Sequence, residues 1–144
     1  MVELCRLIRG LGAVVAVVLM VEDEAQVLVL AESYLREHGH TTRSADTIEG
    51  ALAILEAQEV DVLFADVGLH GNMHAGLELA KRARERRPDL KVLFTTGQTV
   101  TDGMKALFVE GAKLLEKPYT VDQLSTALTV HFGIKPNPPR PESS

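Results

Sequence analysis

Apolar runs and helical patterns alternate along the chain. Runs of Val, Leu, Ile and Ala are typical of strands buried on both faces of a sheet, whereas apolar residues spaced three or four apart indicate amphipathic helices. The second predicted strand is short and polar, as expected near a sheet edge. The five predicted strands cover residues 14–21, 41–45, 60–65, 91–95 and 112–116.

A helix is predicted after each strand. The first runs from about Glu24 to His38 and ends at Gly39, a residue suited to the left-handed position that closes a helix. Asp46 is predicted to cap the second helix, and Glu49 completes a capping-box pattern. The remaining helices are predicted over residues 75–87, 99–110 and 120–131.

Five strand–helix units in series predict an α/β fold. Buried strands that alternate with helices form a parallel sheet covered on both faces, and their connections are right-handed. Five strands favour a doubly wound sheet with the flavodoxin-like strand order 2-1-3-4-5. Ligands of such sheets bind at the carboxyl ends of the strands.

Length and composition indicate one domain. The chain has 144 residues, close to the prior of about 150 residues per domain. We expect an N-terminal extension over residues 1–12, one domain over residues 13–132, and a disordered, proline-rich tail over residues 133–144. On this interpretation, little chain remains for a separate DNA-binding or catalytic domain.

The net charge and the cysteine content argue against some classes of protein. A formal net charge of -5 argues against a general nucleic-acid binder. The predicted third helix does carry a basic cluster, but no aromatic residue interleaves it, and we interpret it as a solvated face. The single cysteine, Cys5, excludes an internal disulfide framework and fits a reducing compartment.

The N-terminus has the outline of a signal peptide, with Arg6 and Arg9 ahead of an apolar run over residues 11–21. The run is shorter than the roughly 20 residues that span a bilayer, and no small-x-small cleavage site follows it. We therefore favour a buried strand over a secretion signal, and predict a cytoplasmic protein without a membrane segment.

Polar residues that can carry chemistry follow four of the five strands. Glu22 and Asp23 follow the first strand, Asp66 the third, Thr96 the fourth and Lys117 the fifth. Each alone is ordinary, since acids often cap helices and Asp often occupies turns. Because the carboxyl ends of parallel strands meet at one edge, we expect the five side chains to converge.

The predicted cluster suits phosphoryl chemistry. Three neighbouring carboxylates repel one another unless a cation lies between them or one is protonated, and hard oxygen ligands suit Mg²⁺. A lysine and a threonine beside them can stabilise phosphoryl oxygens. An aspartate carboxylate can itself be the nucleophile and form an acyl phosphate.

The motifs at these strand ends resemble those of a known family. Together they are similar to the receiver domain of two-component response regulators, over about residues 14–130, with all five family positions filled in order. The motifs are Val21-Glu22-Asp23-Glu24, Phe64-Ala65-Asp66-Val67, Phe94-Thr95-Thr96-Gly97 and Glu116-Lys117-Pro118-Tyr119.

The resemblance implies a phosphoacceptor and a magnesium site. Asp66 would take a phosphoryl group from a phosphohistidine on a sensor histidine kinase or a histidine phosphotransfer protein. Glu22, Asp23 and Asp66 would hold Mg²⁺ together with the backbone carbonyl of Gly68.

The resemblance also assigns the supporting residues. Thr96 would hydrogen-bond one phosphoryl oxygen and Lys117 would neutralise another, with a cis bond from Lys117 to Pro118 turning the lysine into the site. Gly68 and Gln98 would tune self-dephosphorylation, and we expect a phosphoryl lifetime of minutes.

Three positions depart from the family pattern. Leu114 stands where the family usually has a Tyr or Phe that rotates on activation, so the common switch is incomplete. His70 occupies a position that favours Pro, in a loop that is longer than usual. Gly97 replaces the commoner Ala. A metal site formed by His70 and His74 at helical spacing is disfavoured, because that segment has a loop-like sequence.

Three functions remain open from the sequence. The favoured one is a phosphoacceptor acting alone, with output through contact with a downstream protein target or as an intermediate in a phosphorelay. A homodimer through helix 4, strand 5 and helix 5 is compatible with it. The alternatives are an unphosphorylated receiver-shaped adaptor and an aspartate-nucleophile phosphatase, which usually has a second acid where Gly68 stands.

Overall fold

The computed structural model describes residues 16–134, and the predicted N-terminal extension, Cys5 and most of the predicted tail lie outside them. The strands are β1 (Val17–Val21), β2 (Thr41–Ala45), β3 (Val62–Asp66), β4 (Lys91–Thr96) and β5 (Lys113–Glu116). The helices are α1 (Ala25–Glu37), α2 (Ile48–Ala57), α3 (Ala75–Arg86), α4 (Asp102–Lys105) and α5 (Val121–Phe132).

The five strands form one parallel sheet with the order β2-β1-β3-β4-β5. This confirms the predicted order 2-1-3-4-5. The register places Asp66 of β3 opposite Thr95 of β4, and Thr96 of β4 opposite Glu116 of β5. The sheet therefore brings the carboxyl ends of β3, β4 and β5 to one edge.

Alternate side chains of each central strand enter two separate cores. In β1, Val18 and Met20 pack under α1 and α5, whereas Leu19 and Val21 pack under α2 and α3. The five residues of β3 are all buried. Such burial on both faces explains why the apolar runs in the sequence have no period-two alternation. Within residues 16–134, no helix has the length and apolar character needed to cross a membrane.

The fourth helix is much shorter than predicted. The sequence pattern predicts a helix over residues 99–110, but only Asp102–Lys105 is α-helical, with Thr101 as its N-cap. The chain then continues in tighter turns, where the amide of Leu107 bonds Met104 and that of Phe108 bonds Lys105. The β-branched residues before Thr101, and Gly103 within the helix, lower its intrinsic helix propensity.

The second helix begins one residue later than predicted. Thr47, not Asp46, is its N-cap, and the Thr47 hydroxyl accepts a hydrogen bond from the amide of Gly50 at 3.0 Å. Thr47 has the extended backbone that an N-cap needs. The predicted capping box of Asp46 and Glu49 is therefore wrong.

His40, which follows Gly39 at the end of α1, is buried with 5% of its surface exposed. Its Nδ1 accepts a hydrogen bond from the amide of Ala16 at 3.1 Å. Burial, assisted by the nearby charge of His38, lowers the pKa of His40 below its usual value of 6.5. The folded protein therefore favours the neutral imidazole.

This burial predicts a loss of stability in mild acid. Below pH 6.5 the unfolded chain takes up a proton that folded His40 resists, so the free energy of unfolding falls as the pH drops toward the lowered pKa. The slope contributed by one histidine is at most about 1.4 kcal/mol per pH unit. Urea unfolding between pH 7 and pH 5.5 measures it.

The matched variants are His40→Gln, which removes the titrating group, and His131→Gln, which changes an exposed histidine. We expect the first to flatten the pH dependence and the second to leave it unchanged. Equal slopes in the wild type and in His40→Gln would contradict the assignment.

Candidate functional site

Three carboxylates meet at the edge formed by the ends of β1 and β3. Oxygen atoms of Glu22, Asp23 and Asp66 all lie within 4.8 Å of one another. Glu22 and Asp66 are buried, whereas Asp23 is exposed at the mouth of the cluster. The sequence predicted this convergence because two parallel strands end side by side.

The ammonium group of Lys117 lies between the two buried carboxylates. Its Nζ donates to Asp66 Oδ2 at 2.7 Å and to Glu22 Oε1 at 2.9 Å, and lies 3.4 Å from Glu24 Oε1. The Lys117 side chain is only 10% exposed. A backbone hydrogen bond from Lys117 to the carbonyl of Thr96, at 2.8 Å, fixes the chain where β5 ends, and the following bond to Pro118 is cis, as predicted.

Charge and burial oppose each other at this lysine. Burial alone lowers the pKa of Lys117, but its hydrogen bonds to Asp66 and Glu22 and their negative charges outweigh that effect and raise the pKa above its ordinary value. Lys117 is therefore a permanent cation in the site. Glu24, which the sequence analysis did not assign to the site, extends the acidic surround.

Burial raises the pKa values of two groups in the inner part of the site. Burial raises the pKa of Glu22, even though hydrogen bonds from Lys117 and from the amide of Glu24 act in the opposite direction. Burial also raises the pKa of Tyr119 to about 12, with the charge of Glu22 adding to it. The Tyr119 ring packs on Phe64, with ring centroids 5.9 Å apart.

The Asp66 carboxylate is held by one backbone amide and by one side-chain ammonium group. Its Oδ1 accepts a hydrogen bond from the amide of Gly68 at 3.1 Å, and its Oδ2 contacts Lys117. The first turn of α3 then passes so close that a β-carbon on Gly76 would lie 2.0 Å from the carbonyl oxygen of Asp66. Only glycine fits there, and the sequence pattern does not indicate this requirement because it depends on a distance between two backbones.

Thr96 reaches the same edge through the pairing of β3 with β4. Its hydroxyl accepts from the amide of Gln98 at 3.1 Å and lies 3.2 Å from the Gln98 carbonyl, to which it donates. The Gln98 side chain is exposed. Thr96 is thus pre-positioned by the loop that follows it.

Leu114 lies away from the acidic cluster. It pairs with Phe94 across β4 and β5, is partly buried, and packs against the core beneath α2 and α3. The Phe94 ring contacts Phe108, with centroids 4.6 Å apart. Phe94 and Phe108 therefore supply the aromatic rings in this part of the core, where residue 114 is a leucine.

The two loop histidines do not form a helical pair. His74 is the N-cap residue of α3, whereas His70 lies in the preceding loop with a positive φ of 50°. The loop-like interpretation of this segment is confirmed. His70 instead contacts the acidic cluster through Asp23, to which its amide donates at 2.9 Å. No sequence pattern had indicated that contact.

The donor set fits a hard divalent cation. Carboxylate oxygens are the ligands that Mg²⁺ prefers, and it commonly takes one or two of them together with water and phosphate oxygens. Asp23 supplies the exposed oxygen atoms and Asp66 the buried ones. The group of acidic residues that the sequence predicted at this edge is therefore present.

Comparison with known proteins gives a consistent match. The family model of the response regulator receiver domain matches residues 18–129. The nitrogen assimilation regulatory protein NtrX of Azorhizobium caulinodans is 31% identical over 108 residues, which cover 74% of this chain and 24% of that protein. The chain thus spans about a quarter of the length of this relative.

Solved structures share the fold. NtrX of Brucella abortus superposes with a TM-score of 0.74 and 28% identity, covering 83% of this chain and 27% of that one. A response regulator receiver protein of Sinorhizobium medicae superposes with a TM-score of 0.73 and 25% identity, covering 83% of this chain and 95% of that one.

Proposed function

Since the chain belongs to the response regulator receiver domain family, we propose that it is a phosphoacceptor whose Asp66 carboxylate receives a phosphoryl group from a phosphohistidine. The observation that carries this proposal is the contact of Lys117 Nζ with Asp66 Oδ2 at 2.7 Å, beside a second and a third carboxylate. Lys117 also contacts Glu22 at 2.9 Å, but Asp66 is the carboxylate at the end of β3 that the family resemblance assigns as the acceptor, and the cation beside it can stabilise added negative charge.

The reaction transfers a phosphoryl group from an imidazole nitrogen to a carboxylate oxygen. An oxygen of Asp66 attacks phosphorus, the bond between phosphorus and the imidazole nitrogen breaks, and the nitrogen keeps the electron pair. The product on this chain is an acyl phosphate. Because the transition state spreads charge over three phosphoryl oxygens, positioned cations and hydrogen-bond donors are what the site must supply.

Mg²⁺ would be held by Asp23 and Asp66, with Glu22 and the carbonyl of Gly68 completing the proposed set. When bound, the ion offsets the negative charge of the phosphoryl oxygens. Asp23 is the exposed member, so it offers an entry point for the ion. Lys117 offsets one of the two negative charges of the buried acids.

The remaining residues of the proposed site act around the phosphoryl group. The Thr96 hydroxyl would exchange its bond to Gln98 for one to a phosphoryl oxygen. Gly68, which has no side chain, and Gln98, whose side chain is exposed, would both tune self-dephosphorylation. Leu114 replaces an aromatic switch, so a change at Thr96 would pass to the core through Phe94 and Phe108.

The proposed partners follow from this chemistry. The donor is a histidine kinase or a histidine phosphotransfer protein, and the recipient of the signal is a downstream protein bound by contact, in the cytoplasm. A homodimer through α4, β5 and α5 is a further form of output. Direct nucleic-acid binding by this domain is not part of the proposal.

Acetyl phosphate tests the proposal without the kinase. Incubation of the chain with acetyl phosphate and Mg²⁺, followed by intact-mass measurement, is expected to add one phosphoryl group, and EDTA should prevent it. Hydroxylamine should remove the group, since it attacks acyl phosphates and spares phosphate esters.

Absence of the adduct in the presence of Mg²⁺ would overturn the proposal in favour of an unphosphorylated adaptor. An adduct that survives hydroxylamine would show that a hydroxyl group was modified and not a carboxylate. Release of many phosphates per chain from a small phosphate ester would indicate a phosphatase instead.

A further inference from the structure

A polar side chain is buried in the core beneath α1 and α5. Thr95 of β4 is 1% exposed, and its hydroxyl oxygen has no hydrogen-bond partner among residues 16–134. Its side chain lies on the same face of the sheet as that of Leu93, which belongs to this core, because side chains two positions apart on a strand share a face. A buried hydroxyl group without a partner is costly, so Thr95 needs one.

A small cavity gives room for that partner. Thr95 lines it together with Glu22 and Tyr119, and its volume of about 10 Å³ is enough for one water molecule. A buried water typically makes about three hydrogen bonds, so it needs several polar groups around it. Apolar side chains of β1, α1 and β3 form the remaining wall: Met20, Val21, Val27, Leu28 and Phe64.

Glu22 has an acceptor position left for such a molecule. A carboxylate offers about four lone-pair positions on its two oxygens. Both oxygens of Glu22 lie 2.9 Å from Lys117 Nζ, and Oε1 also accepts a hydrogen bond from the amide of Glu24 at 3.1 Å. Oε2 therefore keeps one unused lone pair, with which it can accept a hydrogen bond from a water molecule.

Tyr119 is the third polar residue at the cavity. Burial and the charge of Glu22 raise the pKa of Tyr119, so its hydroxyl keeps its proton and can donate a hydrogen bond. Thr95 and Tyr119 thus offer hydroxyl donors, and Glu22 offers an acceptor. A water molecule that accepts from the hydroxyl groups and donates to the carboxylate satisfies all three residues.

We propose that one ordered water molecule in this cavity links Thr95 to Glu22, and that Thr95 thereby acts as a positioning residue for the metal site. The role in metal binding rests on the proposed function, whereas the water rests on the cavity and the unpartnered hydroxyl. A metal ligand that is itself hydrogen-bonded is held in one orientation, which strengthens metal binding. Thr95 also lies opposite Asp66 across β3 and β4, next to the proposed acceptor.

Urea unfolding of Thr95→Val tests the water. Valine has the shape of threonine without the hydroxyl group. If the water links Thr95 to Glu22, the variant disrupts that link and unfolds at a lower urea concentration than the wild type. If the hydroxyl has no partner, the variant removes a buried polar group without losing a bond. Unfolding at an equal or higher urea concentration would therefore overturn the proposal.

A high-resolution crystal structure gives the direct readout. In the wild type we expect an ordered water molecule within about 3.2 Å of both Thr95 Oγ1 and Glu22 Oε2. The same position should hold no water in Thr95→Val, because the methyl group that replaces the hydroxyl cannot bond it.

Calorimetric titration with Mg²⁺ tests the positioning role. We expect Thr95→Val to bind Mg²⁺ at least about 3-fold more weakly than the wild type, and Thr95→Ser, which keeps the hydroxyl, to bind within about 2-fold of it. Thr42→Val is the matched control. Thr42 is also a buried threonine of the sheet, but it lies in β2 and its hydroxyl accepts from Arg36 at 2.9 Å. Its replacement should leave the affinity for Mg²⁺ unchanged.

The outcomes separate this inference from the proposed function. If Thr95→Val binds Mg²⁺ like the wild type, or if Thr95→Ser binds it as weakly as Thr95→Val, the positioning role is overturned and the metal site stands. If the wild type has no ordered water between Thr95 and Glu22, the inference is wrong. If the water is present but the wild type does not bind Mg²⁺, the metal site of the proposed function fails, and only the water remains.

Discussion

Asp66→Asn is expected to abolish phosphoryl acceptance from acetyl phosphate, with a fall in rate of at least about 1,000-fold. Because the amide nitrogen of Asn is a donor, the single amide oxygen can accept only one of the two hydrogen bonds that the carboxylate accepts, from Gly68 at 3.1 Å or from Lys117 at 2.7 Å. It has no negative charge with which to attack phosphorus, so reactivity is lost. Intact-mass measurement over time gives the rate.

Stability should not fall in the same variant. Lys117 keeps Glu22 as a partner at 2.9 Å, and one of two buried negative charges beside it is removed. We expect the free energy of unfolding to equal or exceed that of the wild type. Asp46→Asn is the matched control, because Asp46 is an exposed acid whose carbonyl, not its carboxylate, contacts His70.

Normal labelling is expected for Asp46→Asn. Labelling of Asp66→Asn at the wild-type rate would mean that another residue is the acceptor. A loss of labelling in both variants would point to a general effect of removing acids, and would remove the support for Asp66 in particular.

Gly76→Ala is expected to destabilise the fold by about 3–5 kcal/mol. The new β-carbon would lie 2.0 Å from the carbonyl oxygen of Asp66 and 2.9 Å from Cα of Val67. Both are backbone atoms of a segment fixed by sheet pairing and by the hydrogen bond from the Gly76 amide to the Val67 carbonyl, at 2.8 Å. Helix α3 must therefore move away, and Asp66 must lose part of its support.

Gly97→Ala provides the control at the same edge of the sheet. No heavy atom lies within 4 Å of the β-carbon it would add, so we expect a change in stability of less than about 1 kcal/mol. Urea unfolding of both variants measures the difference. A Gly76→Ala protein as stable as the Gly97→Ala protein would show that the close approach of α3 to β3 does not exist in solution.

The fold could be predicted because its strongest signals are local. The unbroken apolar run through Leu63 and Phe64 reflects burial on both faces of the sheet, and the regular alternation with helices leaves few topologies. The fourth helix could not be predicted in the same way. Met104 and Phe108 have helical spacing, yet they pack against the core from one short helix and the tighter turns that follow it.

The residues of the site also differ in whether the sequence could predict them. Glu22, Asp23, Asp66 and Lys117 could be placed together because each directly follows a parallel strand, and the ends of such strands converge. The roles of His70 and Gly76 could not be predicted. The position of His70 depends on a left-handed backbone in a loop, and the requirement for Gly76 depends on its distance from Asp66, which lies ten positions earlier in the sequence.

Lys117 gives the two buried carboxylates a positive partner that does not depend on a metal ion. Proteins whose buried ligands are balanced only by a metal reach their folded form when that metal is available. Here the positive charge beside Glu22 and Asp66 belongs to the same polypeptide, at 2.9 and 2.7 Å. We therefore expect the chain to fold without a divalent ion, so that the supply of the ion would affect the proposed phosphorylation and not folding.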